Sequence, residues 1–236
     1  MTAARGRALL LIAALLIAAG AIAISRSRTP APQERPTLLL LTSLPLVFGE
    51  GFSLDAGGSP ALKALQSRYR VVPISVTEPA ELRKGRLLLM AHPLAQPAEA
   101  LIALDDWVRG GSHVLLLADP LLEWPSERPL GDPLRPPPMF MDTGLLKHWG
   151  LRLDAPDKRG PAHRRLGGEQ VLTLSPGALS GTCNISGDRL VAHCRIGKGS
   201  ATIVADADLL DAARLGDGAS ANLDGLLSEL AQLDAK

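Results

Sequence analysis

Aromatic side chains are nearly missing from this sequence, with three Phe, three Trp and one Tyr among 236 residues. So few leave little to stack on nucleobases, and 25 Lys+Arg against 24 Asp+Glu give no cationic surplus for a phosphate backbone, which argues against nucleic-acid binding. Signatures of common chemistries are also missing. The chain has no phosphate-binding Gly-x-x-x-x-Gly-Lys-Ser/Thr, no Gly-x-Gly-x-x-Gly, no Gly-x-Ser-x-Gly and no His-Glu-x-x-His. What it has in quantity is aliphatic side chains, enough for the core of one domain of ordinary size. It also has 23 glycines and 19 prolines, well above the usual ~12% combined, so loops are long or numerous.

Only one stretch is long and apolar. Ala8 to Ile24 carries no charge and is flanked by Arg5 and Arg7 before it and Arg26 and Arg28 after it. As a helix it would reach about 26 Å at ~1.5 Å per residue, close to a hydrocarbon core, with the arginines snorkelling outward. The rival reading is a cleavable signal peptide, for which Ala21-Ile22-Ala23 is the small-x-small site. The expected organisation is a cytoplasmic tip at 1–7, a transmembrane anchor or uncleaved signal at 8–24, a Pro-rich linker at 25–36 and an extracytoplasmic α/β domain at 37–236. That places a single-pass protein in the inner membrane with its main domain in the periplasm.

From Thr37 onward, aliphatic runs alternate with helical patterns. Strands are expected at Thr37 to Thr42, Arg70 to Val76, Arg86 to Met90 and His113 to Ala118. Between them, Ser59 caps a helix from Pro60 to Tyr69, Glu78 to Lys84 makes a helical turn, and Pro97 to Arg109 makes a helix closed by Gly110-Gly111. Such alternation predicts a largely parallel sheet flanked by helices. Seven prolines between Asp119 and Asp142 predict a long irregular loop, followed by a short helix from Thr143 to Trp149. Further strands read at Val171 to Leu174, Thr182 to Ile185, Arg189 to Arg195 and Ala201 to Ala205, with closing helices at Leu209 to Arg214 and Asn222 to Leu233. The final 37 residues hold seven acids to two bases, which reads as a solvated face.

The two cysteines, Cys183 and Cys194, flank a turn at Ser186-Gly187-Asp188, so their thiols can face each other across a C-terminal β-hairpin. A disulfide is the leading reading, ahead of two buried thiols and of a metal pair completed by His193. Two cysteines without Cys-x-x-Cys or His-x-x-x-His spacing cannot close a tetrahedral site.

Several phrases in order carry a resemblance: Thr42-Ser-Leu-Pro-Leu, Leu87-Leu-Leu-Met-Ala-His-Pro, Ala103-Leu-Asp-Asp-Trp-Val-Arg-Gly-Gly, Val114-Leu-Leu-Leu-Ala-Asp-Pro and Leu145-Leu-Lys-His-Trp-Gly-Leu. Together they resemble the extracytoplasmic domain of gliding-motility-type (GldG-like) ABC transporter auxiliary proteins. The likeness continues through Gly197-Lys-Gly-Ser-Ala-Thr-Ile-Val-Ala-Asp-Ala-Asp. It implies a flavodoxin-like or class I glutamine amidotransferase-like fold without the amidotransferase nucleophile, and partners that are the permease and ATPase subunits of an ABC-type system. ATP hydrolysis would then reside on another polypeptide.

No catalytic residue is assigned from the sequence, because no strand-to-helix elbow carries Cys or Ser. No cofactor or metal is expected either. His92 reads as ending its strand beside Pro93, Asp119 as a turn former before Pro120, and Gly57-Gly58-Ser59 as plain capping. Asp206 and Asp208 alternate like paired carboxylates, though Asp208 also reads as an N-cap. Loops leaving the carboxyl ends of parallel strands converge on one crevice. They bring Glu50, Phe52, His92, Asp119 and Trp124 forward as binding candidates, Trp124 as an exposed ring. The expected function is a non-catalytic, membrane-anchored accessory domain of an ABC-type transport system, binding another subunit, a small solute or a glycan. The alternative is a periplasmic hydrolase acting on a glycan or cell-wall substrate.

Overall fold

The computed structural model describes residues 35–49 and 58–236. The anchor at 8–24, nearly all of the linker, and Glu50 and Phe52 lie outside the described residues. No helix among the described residues is long and apolar enough to cross a membrane.

Four short, buried runs make the centre of the fold. Strands β1 (Thr37–Thr42), β3 (Leu87–Ala91), β4 (His113–Leu117) and β11 (Gly199–Val204) are buried almost throughout. The aliphatic runs of β1, β3 and β4 suit strands covered on both faces, and β11 joins them with Ser200 and Thr202 buried among its small and aliphatic residues. They lie side by side and parallel, in register through Leu39↔Leu88, Leu88↔Val114 and Ala201↔Val114. Strand β2 (Arg70–Pro73) adds parallel to the outer side of β1, while β10 (Val191–Ile196) and β9 (Asn184–Ile185) add antiparallel beyond β11. The seven-stranded order is β2-β1-β3-β4-β11-β10-β9.

Helices cover both faces. Helix α1 (Pro60–Arg68) starts where the Ser59 hydroxyl accepts from the Leu62 N–H, and it buries Ala61, Leu62 and Leu65. After the single turn α2 (Pro79–Leu82), α3 (Ala98–Arg109) turns Ala100, Leu104 and Val108 inward. Right-handed crossovers place α1 opposite α2 and α3. Following the short α4 (Leu145–His148) and α5 (Ala212–Leu215), the long α6 (Ala219–Asp234) packs beside α1 and over β3 and β4. One continuous core runs from Leu38 to Leu233, and residues 36–236 form one compact unit around it, so this unit has what a domain needs to fold by itself.

Strands β5 (Leu151–Asp154), β6 (Pro161–Leu166) and β8 (Ala178–Gly181) escape the sequence reading; β5 pairs antiparallel with β8, and β6 with β7 (Glu169–Leu174), which contains the strand expected from Val171 to Leu174. Strand β6 opens on proline and carries His163, Arg164 and Arg165, so its pattern is one of charge rather than hydrophobic alternation. The expected strand from Thr182 to Ile185 begins only at Asn184. Between β10 and β11 the chain passes so close to α3 that a Cβ on Gly199 would collide with the carbonyl oxygens of Ser112 and Val108.

Candidate functional site

Connections from β1 to β2 and from β2 on to β3 leave in opposite directions along the sheet, so the strand order reverses between β1 and β3. Ligands of open α/β sheets bind in the crevice at such a switch point, beyond the carboxyl ends of the strands. Here those ends are Thr42-Ser43-Leu44 and Ala91-His92. Their polar groups are engaged with each other: the Thr42 hydroxyl donates to the Ala91 carbonyl at 2.8 Å, and the Ser43 hydroxyl donates to the His92 carbonyl at 2.5 Å.

His92 has a positive φ of 47° and is fully buried. A sharp turn of this kind after a central strand is where an acyl-transfer enzyme displays its nucleophile. Its side chain instead reaches across to the proline-rich loop, with Nε2 2.9 Å from the Pro137 carbonyl oxygen. A carbonyl only accepts, so Nε2 carries the proton, and the buried Nδ1 is left without a partner. Burial pushes the imidazole below its ordinary pKa, only partly opposed by the Pro137 bond, which keeps it neutral. The bond to Pro137, 45 residues away, differs from the local pairing expected at a strand end. Ser43 meets the His92 carbonyl and not the ring, so its hydroxyl is not activated by this base.

Beside these residues lies a cleft of about 340 Å³, walled by Leu40, Leu44, Val47 and Ile74, with Leu134 and Arg128 of the long loop on its rim. Arg128 faces Asp132 at 3.6 Å. Its walls are mostly apolar, with Thr42 and Ser43 also lining it.

The loop itself is pinned from below by carboxylates. Asp119, directly after β4, accepts at Oδ1 from Leu121 N–H (2.8 Å) and at Oδ2 from Ala207 N–H (2.9 Å). Asp206 accepts from Leu209 and Leu174 N–H, and Asp208 Oδ2 accepts from Glu123 N–H at 2.7 Å. All three side chains are fully buried. Burial is the main cause that raises Asp119 to about 6 and Asp208 to about 7, and that places Asp206 well above the carboxylate range with the neighbouring acids adding to it. Asp208 Oδ1 has no partner and is the natural seat for the proton. Glu123 is held low by the Ser175 hydroxyl and Arg214.

The expectation of a solvated acidic face is therefore corrected. Asp206, Asp208, Asp211 and Glu229 are buried, because each carboxylate accepts from backbone N–H groups or a side chain of another segment. Asp206, and not Asp208, caps the 3₁₀ turn that follows. Among the described residues no group of three or more His, Cys, Asp or Glu is arranged to hold a metal ion.

Of the five crevice candidates, His92 and Asp119 come to the same edge without meeting: one binds Pro137, the other the backbone after β11. Trp124 is half-buried and packed on the core, not exposed. Sequence reasoning missed Thr42 and Ser43, the stitch between β1 and β3. The hydroxyls closing an aliphatic run were the available signal. Cys183 and Cys194 form a disulfide with Cα atoms 4.9 Å apart across the β9–β10 hairpin.

No family model matches this sequence, and no curated protein matches it. Among solved structures, an exo-β-1,4-mannosidase from Opitutaceae bacterium strain TAV5 is similar at 14% identity and a TM-score of 0.48, covering 85% of this chain and 35% of that one. A cytoplasmic protein from Salmonella typhimurium aligns at 10% identity and a TM-score of 0.49, covering 84% and 98%. A ThuA-like protein from Parabacteroides merdae aligns at 13% identity and a TM-score of 0.31, covering 72% and 79%. This chain spans about a third of the mannosidase's length. These likenesses concern backbone arrangement and carry no argument about chemistry.

Proposed function

We propose that this chain is a non-catalytic, membrane-anchored accessory domain whose carboxyl sheet edge docks another subunit of an ABC-type transport system. The observation that carries the reading is the state of the switch-point crevice. Its hydroxyls are engaged by strand carbonyls, its one imidazole is neutral and bound to Pro137, and no nucleophile stands at the turn. Acyl or glycosyl transfer needs a nucleophile or activated water with a tuned acid or base beside it. Docking needs exposed apolar area, and this edge supplies it. Of the exposed large hydrophobic residues among those described, Phe48, Leu94, Leu130, Leu134, Met139 and Met141 lie on its three loops, and only Ile102 lies elsewhere. Large apolar side chains left exposed on one edge are the kind of surface that marks an interaction site.

The strand order 2-1-3-4 followed by a fifth parallel strand is that of flavodoxin-like sheets, in keeping with the amidotransferase-like architecture that the resemblance implies. The partner face that fits is largely apolar: Arg128 is matched by Asp132, Arg135 donates to the Ser126 and Arg128 carbonyls, and Asp142 accepts from Gly144 and Leu146 N–H. Affinity capture of the full chain from detergent-solubilised native membranes tests the reading. An ATPase and a permease subunit should be recovered by mass spectrometry. Their absence, together with hydrolysis of glycoside substrates that depends on His92, would replace it with the hydrolase reading.

A further inference from the structure

A net charge of +1 conceals an uneven charge distribution. The acids beneath the carboxyl edge, Asp119, Asp206, Asp208 and Asp211, are buried and shifted upward, and Glu123 is paired with Arg214. The opposite edge, where the parallel strands begin, is basic. Arg70 opens β2, Arg86 precedes β3, Arg195 and Lys198 flank the start of β11, Arg68 ends α1, and Lys236 lies beside them beyond α6. All six are exposed, and none is in an ion pair among the described residues. Arg70 donates to the Thr37 hydroxyl and Arg86 to the Gly111 carbonyl, bonds that hold the cations in place without neutralising them. Acids at this edge are fewer: Glu81 is paired with Lys84, Asp105 with Arg109 and Glu229 with His193 of the cleft, while Asp106 lies near Arg109 and Asp234 near Tyr69 and His113.

Cations at helix C-termini are ordinary complements of the helix dipole, and that accounts for Arg68 and Arg109. It does not account for Arg86, Arg195 or Lys198, which lie at strand ends and on the β10–β11 turn. Three of the six line a cleft of about 500 Å³, in which Arg195, Lys198 and Lys236 stand around His113 and Asn184.

Strand β1 also begins at this edge, and the described chain starts beside it at residue 35, with the apolar run from Ala8 to Ile24 earlier in the sequence. We infer that the amino edge of the sheet is a membrane-facing surface that binds the headgroups of anionic phospholipids, with the cleft between Arg195, Lys198 and Lys236 taking a phosphodiester. A domain tethered from this edge presents its cations to the bilayer and its apolar loops ~20 Å away, across the length of β1, toward a partner. Each basic side chain near an anionic surface contributes about fivefold in partitioning, an attraction that fades beyond a Debye length of ~10 Å at 0.1 M salt.

The inference takes from the proposed function only the anchor, and its test leaves the anchor out. The unit 36–236 is mixed with phosphatidylcholine vesicles, with vesicles containing phosphatidylglycerol at about three in ten, and with inorganic phosphate in solution. Flotation with the anionic vesicles alone, reversed by 0.5 M NaCl, is the expected result. Arg68→Gln, Arg195→Gln and Lys198→Gln together should cut that partitioning roughly a hundredfold. Equal flotation with neutral vesicles, no flotation with anionic ones, or binding of phosphate without binding of vesicles would each overturn the inference. The salt reversal is read on the unaltered chain, so the test survives if the triple variant misfolds, and recovery of transporter subunits is untouched by any of these outcomes.

Discussion

Replacing Asp208 with Asn probes the buried carboxylates beneath the long loop. In the folded chain Asp208 is raised to about 7 from an ordinary 3.8, chiefly because it is removed from water. Between those values the unfolded chain is ionised there while the native chain keeps the proton, so the native state binds more protons and stability falls as pH rises. A shift of about three pH units corresponds to roughly 4 kcal/mol, present below pH 4 and lost by pH 7 to 8. Asp119, raised to about 6, acts in the same direction, and because the two interact their effects do not simply add. Asp105, Glu123 and Asp188 are shifted downward, and the stability they contribute disappears only as pH drops below the ordinary carboxylate range. The carboxylate contribution should therefore be greatest near pH 4 and fall toward pH 8, opposed in part above pH 5 by His92 and His113, which burial shifts downward. Asn keeps the acceptor for Glu123 N–H and cannot ionise. At pH 8 Asp208→Asn should exceed the unaltered protein by about 1 to 3 kcal/mol, less than the full shift because the new amide inherits an unpartnered position. Urea unfolding at pH 5 and pH 8 measures both. Wild-type stability that is flat or rising over that interval, or an equal loss for the variant at both pH values, would refute the reasoning.

Reducing the Cys183–Cys194 bridge should lower unfolding stability by about 2 to 3 kcal/mol, and thiol labelling of denatured, unreduced protein should find no free cysteine. Gly199→Ala should cost at least ~3 kcal/mol, read as a lowered urea midpoint, because the added methyl meets two backbone carbonyls that cannot retreat. A periplasm-dependent phosphatase fused after Lys236 should be active in cells, whereas an inactive fusion beside an active cytoplasmic reporter would reverse the expected topology.

The parallel strands were legible because a run such as Leu38 to Leu41 admits one environment, burial on both faces, and because Ser59 and Pro60 announce the helix that follows. Helix α3 was legible for the same reason, its apolar stripe ending at two glycines. The disulfide followed from a turn midway between two cysteines. The acidic tail was not legible. Whether Asp206 faces water or accepts from Leu174 N–H depends on a segment more than thirty residues away, and no local pattern records it. The same holds for His92, whose partner Pro137 belongs to a loop with no period of its own. Strand β6 was hidden because its pairing with β7 leaves alternate charged residues in solvent, so neither face reads as apolar.

The most direct test of docking without catalysis compares three forms of the full chain captured from solubilised native membranes: unaltered, Leu130→Asp with Leu134→Asp, and His92→Asn. The leucines are 85% and 68% exposed, so the paired change alters the edge and spares the core. Asn tolerates the positive φ at position 92 while removing the imidazole. Quantified by mass spectrometry, recovery of the transporter subunits should fall at least tenfold for the leucine pair and stay unchanged for His92→Asn. Undiminished recovery with both leucines replaced, or loss of transport in a His92→Asn protein that still folds and still assembles, would contradict the account.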